Sequence, residues 1–336
     1  IISNLLILGG DQVHKALANV AGTELAHFNV PFSFGWLAQA VSAIGPVVAG
    51  QRNILPKPDV DSLVMNMGSG QSRKNQSFLL SRLLRDLEKR AGPAIGSLQI
   101  TVLESTGQLP NHGSAMPENV GEISSQYLAH RAGMIATCLQ FAIAISTSEA
   151  VSFITVAATA LAFLTSNLDA WKASKYIGRR NGDETYALMR GNGHRHIFLI
   201  KNTSANALNL EDLAASSVTK YNWFGSSDGY IVVFSALAWL ALAIYACTLD
   251  KGIGGLIAIM AIGTVANILT ASAARSPAAH GIPLVQKSTH SGEKVMTVLQ
   301  ELEDQEPGYG QHLLKTFFSG PLRDNDSKWW ADKKEA

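Results

Sequence analysis

Four windows of this chain are long and nearly free of charge, and they constrain its fold more than any other feature. They run from Val30 to Gly50, Ala132 to Ser166 (interrupted only by Glu149), Tyr230 to Leu249 and Gly252 to Ala274. A helix needs roughly 20 apolar residues to cross ~30 Å of hydrocarbon, and the first, third and fourth windows meet that length. One such window alone would fit a buried core helix; four in one chain point to a polytopic α-helical membrane protein. Composition agrees, with 16% of residues charged and 47% hydrophobic, which is low in charge for a soluble protein.

The second window is too long for one crossing. A continuous helix over it would run about 50 Å and would place Glu149 near the membrane centre, where an unpaired carboxylate is costly. Splitting it at Ser146–Glu149 gives five spans: 30–50, 132–148, 150–168, 230–249 and 252–274. The loops 51–131 and 171–229 and the tail 275–336 then share one face. All but Lys15 and Lys251 of the 27 Lys and Arg fall there, and basic residues near span ends favour the cytosol. A four-span arrangement would divide those charges between both faces. The expectation is an extracytosolic amphipathic N-terminal segment (1–29) and a cytosolic C-terminus, in a membrane the sequence does not identify. The chain begins at Ile1, which leaves room for a removed leader.

The cytosolic segments carry the signals of an α/β fold. "SLVMNM" (62–67) and "LQITVLES" (98–105) read as strands around the helix "FLLSRLLRDLEKR", with Ser77 as N-cap. In that helix Leu80, Leu83, Leu84 and Leu87 share one face, with Arg82, Arg85, Lys89 and Arg90 directed away from it. The order strand, glycine loop, helix, strand is that of a βαβ unit. "ETYALMRGNGHRHIFLIKN" reads as a hairpin whose Gly191-Asn192-Gly193 turn supplies positive φ and whose returning strand runs from His194 to Lys201. That strand is apolar on both sides beyond Ile197, so it belongs inside a sheet. "NLEDLAAS" starts another helix, and "EKVMTVLQELEDQ" carries an apolar stripe. In the tail, Phe317, Phe318, Trp329 and Trp330 need burial in protein or at a membrane interface. None of these segments alone supports a generous core, so they are expected to assemble into one composite cytosolic α/β domain.

Chemistry-bearing motifs are sparse. "GSGQSRKNQS" is glycine-rich and basic, and Ser69, Gly70, Arg73 and Lys74 are its candidates for holding phosphate, but the spacing is not that of a P-loop or a dinucleotide fingerprint. Arg190, Asn192, His194 and His196 form the densest polar group. The two histidines are two apart on a strand and share a side, yet no Cys or carboxylate companion of a metal site lies nearby. Lys172, Lys175, Arg179 and Arg180, just past the third span, suit anionic headgroups at ~1 kcal/mol each near the surface; a plain topology signal is the simpler and preferred reading. Cys138 and Cys247 lie within spans and read as packing residues. The formal charge of +1 implies no nucleic-acid partner. The spans hold Gln140 and Asn267 but no buried charge of the kind ion-coupled transporters use, while Gly252, Gly255, Ala258 and Gly263 suit close helix packing and a homo-oligomer.

"PFSFGW" (31–36), "RGNGH" (190–194), "NLEDLA" (209–214) and "FFSGPLRDNDSKWW" (317–330) resemble, in order, blocks of a group of filamentous-fungal multi-pass membrane proteins. The resemblance implies a fungal membrane protein, no activity and no catalytic residues. Two functions remain open: a self-associating, membrane-anchored structural or interaction protein, or a membrane enzyme acting on a lipid or other apolar substrate through Arg190, Asn192, His194 and His196. No cofactor is assigned.

Overall fold

The computed structural model describes residues 8–21, 30–51, 54–105, 120–169, 171, 184–203, 209–215, 223–225, 227–318 and 320–335. The chain forms two compact units. One comprises Ile1–Lys57, Asn119–Ile177 and Ser217–Arg275; the other comprises Pro58–Glu118, Gly178–Ser216 and Ser276–Ala336.

The first unit is helical. It contains α1 (Gly10–Val20), α2 (Trp36–Val48), α4 (Val120–Thr147), α5 (Glu149–Ser166), α7 (Ser227–Cys247) and α8 (Ile253–Ser272). Among the described residues, four stretches are long and apolar enough to cross a membrane: Leu128–Thr147, Glu149–Ser166, Ser227–Cys247 and Ile253–Ser272. The first apolar window departs from the expected five spans. Its α2 has only 13 residues, about 20 Å at 1.5 Å per residue, short of ~30 Å of hydrocarbon. Pro31 and the left-handed Gly35 (φ 89°) keep the residues before it out of the helix. The second window does break in the middle. Ser148 adopts an extended conformation between α4 and α5, and its hydroxyl accepts the Val151 N–H as the N-cap of α5. Such a cap satisfies a donor that a helix start otherwise leaves open. Within the bundle α4 packs on α5 and α8, α7 on α2 and α5, and α1 on α2 and α8.

The second unit is a mixed six-stranded sheet with helices. Its strands are β1 (Leu63–Asn66), β2 (Ser72–Lys74), β3 (Leu98–Ser105), β4 (Thr185–Met189), β5 (His196–Asn202) and β6 (Leu284–Gly292), in the order β2-β1-β4-β5-β3-β6. Its helices are α3 (Phe78–Ala91), α6 (Leu210–Ala215), α9 (Val295–Gln305), α10 (Tyr309–Phe317) and α11 (Asp324–Glu335). The expected βαβ unit takes a different form. The glycine loop joins β1 to β2 as an antiparallel hairpin, and β4 and β5 stand between β1 and β3. β5 pairs parallel with β3 and antiparallel with β4, Met189 facing Ile197. It is therefore an interior strand, and Ile197, Phe198, Leu199 and Ile200 are all buried. The strand begins at His196, two residues later than expected, because the 190–195 loop holds left-handed glycines at both 191 and 193. One sheet face packs Ile100, Val102, Ile197 and Leu199 against Val298, Leu299 and Leu302 of α9 and Leu313 of α10. Trp330 is buried there too, its indole N–H pointing at the Met296 sulfur. Protein, then, covers this tryptophan.

Candidate functional site

The least expected chemistry lies inside the helical bundle, around Pro31–Trp36. Pro31 has no N–H to donate and Gly35 is left-handed, so this stretch cannot hydrogen-bond to itself as a helix does. A side chain at Gly35 would also overlap Gly9 and Gly10. In an apolar bundle such a backbone is tolerated only where other groups satisfy it. Two carboxamides do so. Gln140 of α4 donates from Nε2 to the carbonyls of Phe32 (2.5 Å) and Ile259 (2.9 Å). Asn267 of α8 donates from Nδ2 to the Pro31 carbonyl (3.1 Å) and the Ser33 hydroxyl (2.7 Å). Trp36 Nε1 adds a bond to the Pro31 carbonyl (2.9 Å), and the Phe34 N–H reaches the Thr264 hydroxyl (3.3 Å). Gly263 makes the approach possible, since a Cβ there would overlap the Phe32 carbonyl oxygen.

The clamp leaves polar capacity over. The side-chain oxygens of Gln39, Gln140 and Asn267 and the indole N–H of Trp239 are buried without a hydrogen-bond partner among the described residues. Trp239 stacks on Phe32 and on Trp36, with ring centroids 5.8 and 5.3 Å away. These three aromatic residues line a cavity of about 20 Å³ together with Ser33, Leu242 and Met260. That is room for about one water. The arrangement can orient a small hydrogen-bonding group, and none of the residues lining the cavity has an ionisable side chain.

The sequence-derived candidates lie in the sheet unit. Arg190 makes a two-pronged ion pair with Glu88 of α3, with Nε 2.8 Å from Oε1 and Nη2 on Oε2. His196 Nε2 lies 3.1 Å from the carbonyl of Gly92 at the end of α3, and its ring stacks on Phe198. Asn192 and His194 sit on the exposed turn. Two of the four thus fasten the hairpin to α3 and two face solvent. In the glycine loop, Asn66 Oδ1 accepts from Gly68 N (2.9 Å) and Ser69 N (3.4 Å), its carbonyl accepts Gly70 N, and the Ser69 hydroxyl accepts Gln71 N. The N–H groups that would cradle a phosphate are engaged in the turn. Arg73 faces Glu211 (3.5 Å) and Lys74 faces Asp61 (3.0 Å). Lys172, Lys175, Arg179 and Arg180 lie outside the described residues.

A buried ionic group in the sheet unit was not legible in sequence. Arg82, expected to point away from the apolar face of its helix, is 3% exposed and pairs with Asp59 (2.6 Å). Asp86, 2% exposed, holds Arg85 through one oxygen (2.6 Å) and His280 through the other (2.9 Å). Asp59, at the start of the unit, and His280, in its last segment, lie against this side of α3, and each buried carboxylate meets a basic side chain, as burial requires. For the bundle clamp a signal did exist. An apolar window interrupted by Pro31 and Gly35 needs donors, and lone carboxamides in other apolar windows are the groups able to provide them. Comparisons with family models, curated proteins and solved structures return no match for this chain.

Proposed function

We propose that this chain is an integral membrane protein whose helical bundle anchors an α/β platform, working as a structural or interaction scaffold that self-associates through small-residue helix faces. The observation carrying this reading is the outward display of apolar side chains by the four long helices. Ile145 is 77% exposed, Phe153 62% and Phe234 61%, and only 28–39% of each candidate span is buried within the protein. Water would not tolerate so large a continuous apolar surface. Among the described residues, the polar groups buried within the four long helices are uncharged, which favours anchoring over ion-coupled transport. Close packing by small residues supports helix association, as where Gly255 leaves no space for a Cβ beside Thr147.

The sheet supports a consistent topology. Its three chain segments are separated by α4–α5 and by α7–α8, and an even number of crossings returns the chain to the same side. Four crossings that keep the split second window and omit the first window would put the N-terminal segment on that side as well, in contrast to the arrangement with five. The basic residues make that side cytosolic.

Cys138 and Cys247 are both exposed on the protein surface, which provides the test. In sealed membranes Cys138, within α4, should resist a membrane-impermeant maleimide and react only after denaturation in SDS. Rapid labelling in intact membranes would refute a lipid-embedded α4. Sidedness is best read at the Asn325-Asp326-Ser327 sequon, because Asn325 is exposed whereas Asn75 and Asn202 are buried. It should carry no glycan. A mass that stays monomeric across a concentration series in mild detergent would remove the self-association part.

A further inference from the structure

We propose that residues 30–51 form a re-entrant hairpin, which enters and leaves the membrane at one end of the bundle and turns at mid-depth; this rests on the membrane reading above. The four long helices give the depth scale. The turns α4–α5 and α7–α8 lie together, with Gly252 against Thr147 and Val151. α5 and α8 therefore both finish, and α7 begins, at the opposite end, here the near end. Both flanks of the hairpin are fixed there. Ahead of it, Asn19 of α1 donates from Nδ2 to the carbonyls of Thr270 (2.8 Å) and Ala273 (3.3 Å), at the end of α8. Behind it, the Gln51 carbonyl accepts the indole N–H of Trp223 (2.8 Å), just ahead of α7. His14 of α1 joins the two flanks. Its Nε2 lies 2.7 Å from the Ile54 carbonyl, and its ring meets that of Trp171, past the end of α5, at 5.7 Å.

Between these flanks the chain reaches the middle of the bundle. The Phe32 carbonyl lies against Gln140 and Gly263, the Phe34 N–H meets Thr264, and the Trp36 ring stacks on Trp239. All four partners fall in the middle third of their helices, taken as Leu128–Thr147, Ser227–Cys247 and Ile253–Ser272. Irregular backbone at that depth is tolerated only inside protein, and the carboxamides of Gln140 and Asn267 satisfy it. The return is α2, whose 13 residues rise about 20 Å. Half of ~30 Å of hydrocarbon is about 15 Å. A helix of this length climbs from the centre to one face and cannot span both. Beyond the tip lies the small cavity, whose lining runs from Phe32 and Trp36 to Leu256 and Ala246, close to the far ends of α8 and α7. The hairpin thus stands between that cavity and the near end.

The test uses the full chain in sealed vesicles, with one epitope ahead of Ile1 and a different one after Ala336. An added protease should reach both epitopes from one side of the membrane and neither from the other. Epitopes on opposite sides would make the first window a crossing and overturn the proposal. Depth is read with a nitroxide on a single cysteine, Val41→Cys or Val48→Cys, in a Cys138→Ala/Cys247→Ala background. Both valines are exposed, at 49% and 70%, and Val41 stands closer to the tip. Collision with oxygen and with a water-soluble nickel chelate should place the Val41 label about 10 Å deeper than the Val48 label. Equal depths would lay α2 along the surface and also overturn the proposal. The epitope arm needs no substitution, so it decides the matter even where a cysteine variant does not fold. Release of the unsubstituted chain by alkaline carbonate would instead refute the membrane reading on which the hairpin rests.

Discussion

The helical bundle and the sheet unit place their polar and apolar groups in opposite ways. In the bundle Phe153, Phe234 and Ile145 face outward while Gln140 and Asn267 are 0% and 1% exposed. In the sheet unit Leu299, Leu302 and Leu199 are fully buried, and ion pairs such as Lys74–Asp61 and Lys333–Asp304 lie at the surface. On the membrane reading proposed above, each region exposes what its surroundings can solvate. Hydrocarbon would accept an exposed phenylalanine but not a free carbonyl, and the bundle turns the carboxamides of Gln140 and Asn267 to the Pro31–Ser33 backbone. Water accepts the carbonyl but not the phenylalanine, so the sheet unit closes over aliphatic side chains.

The sharpest way to break this comparison is at Gly263. Gly263→Ala puts a methyl group into the Phe32 carbonyl, and backbone cannot yield as a side chain tip can. The expected cost is more than about 3 kcal/mol, read as loss of a monodisperse bundle in detergent. Unchanged thermal stability would mean that the clamp is not formed as described. In the sheet unit the equivalent test is apolar. Leu299→Ala removes a side chain that is 0% exposed and should cost about 2–5 kcal/mol, measured by thermal or chemical unfolding in detergent. A loss below 1 kcal/mol would contradict the packing of α9 on the sheet.

Smaller effects sharpen the reading of the 190–195 turn. Gly193 has φ 94° with open space around its Cα, so Gly193→Val meets backbone strain and no clash, about 1–2 kcal/mol. His194→Ala, on the exposed side, should stay within ±0.5 kcal/mol. If His194→Ala abolishes a cellular function while the chain stays folded and embedded, the turn has a chemical role and the enzyme reading takes precedence.

The smallest expected effect is a pH dependence at His14, on α1 and outside the four long helices. Its Nε2 lies 2.7 Å from the Ile54 carbonyl, and burial, partly opposed by that hydrogen bond, lowers its pKa below the ordinary 6.5. The folded state therefore resists a proton that the unfolded chain accepts. No stability is lost to this group above the ordinary value, and stability declines as pH falls through it. Melting temperatures at pH 7.5 and about 5.5 should diverge more for the wild type than for His14→Gln. Equal pH dependence in both would remove His14 as a source.

Much of the architecture was legible because it is local. A long uncharged run announces a membrane-length helix wherever it folds, and Glu149 within such a run announces the break, which falls at Ser148. The doubly apolar strand His196–Asn202 announced an interior position because both of its faces needed cover. The limits of the first span were legible only in part. Pro31, Gly35 and Pro46 were in view, but window hydropathy counts apolar residues and does not register a backbone that cannot continue as helix.

Other features depend on residues far apart in the chain, and no local pattern specifies them. The sheet order is one: Leu63 pairs with Met189, and Gln99 with His196. Arg190 reads in sequence as a catalytic candidate and becomes the partner of Glu88, 102 residues away. Arg82 reads as a solvated charge until it is buried beside Asp59 of the segment before its helix. Gln140 and Asn267 read as stray polar groups until the carbonyls of Phe32 and Pro31, 108 and 236 residues distant, lie against them. Sequence alone thus determined which segments suit hydrocarbon and which suit water, because transfer free energy belongs to each residue and sums over a window. Tertiary structure alone decided which polar groups meet, because a buried donor must find its acceptor in space and sequence separation places no limit on the choice.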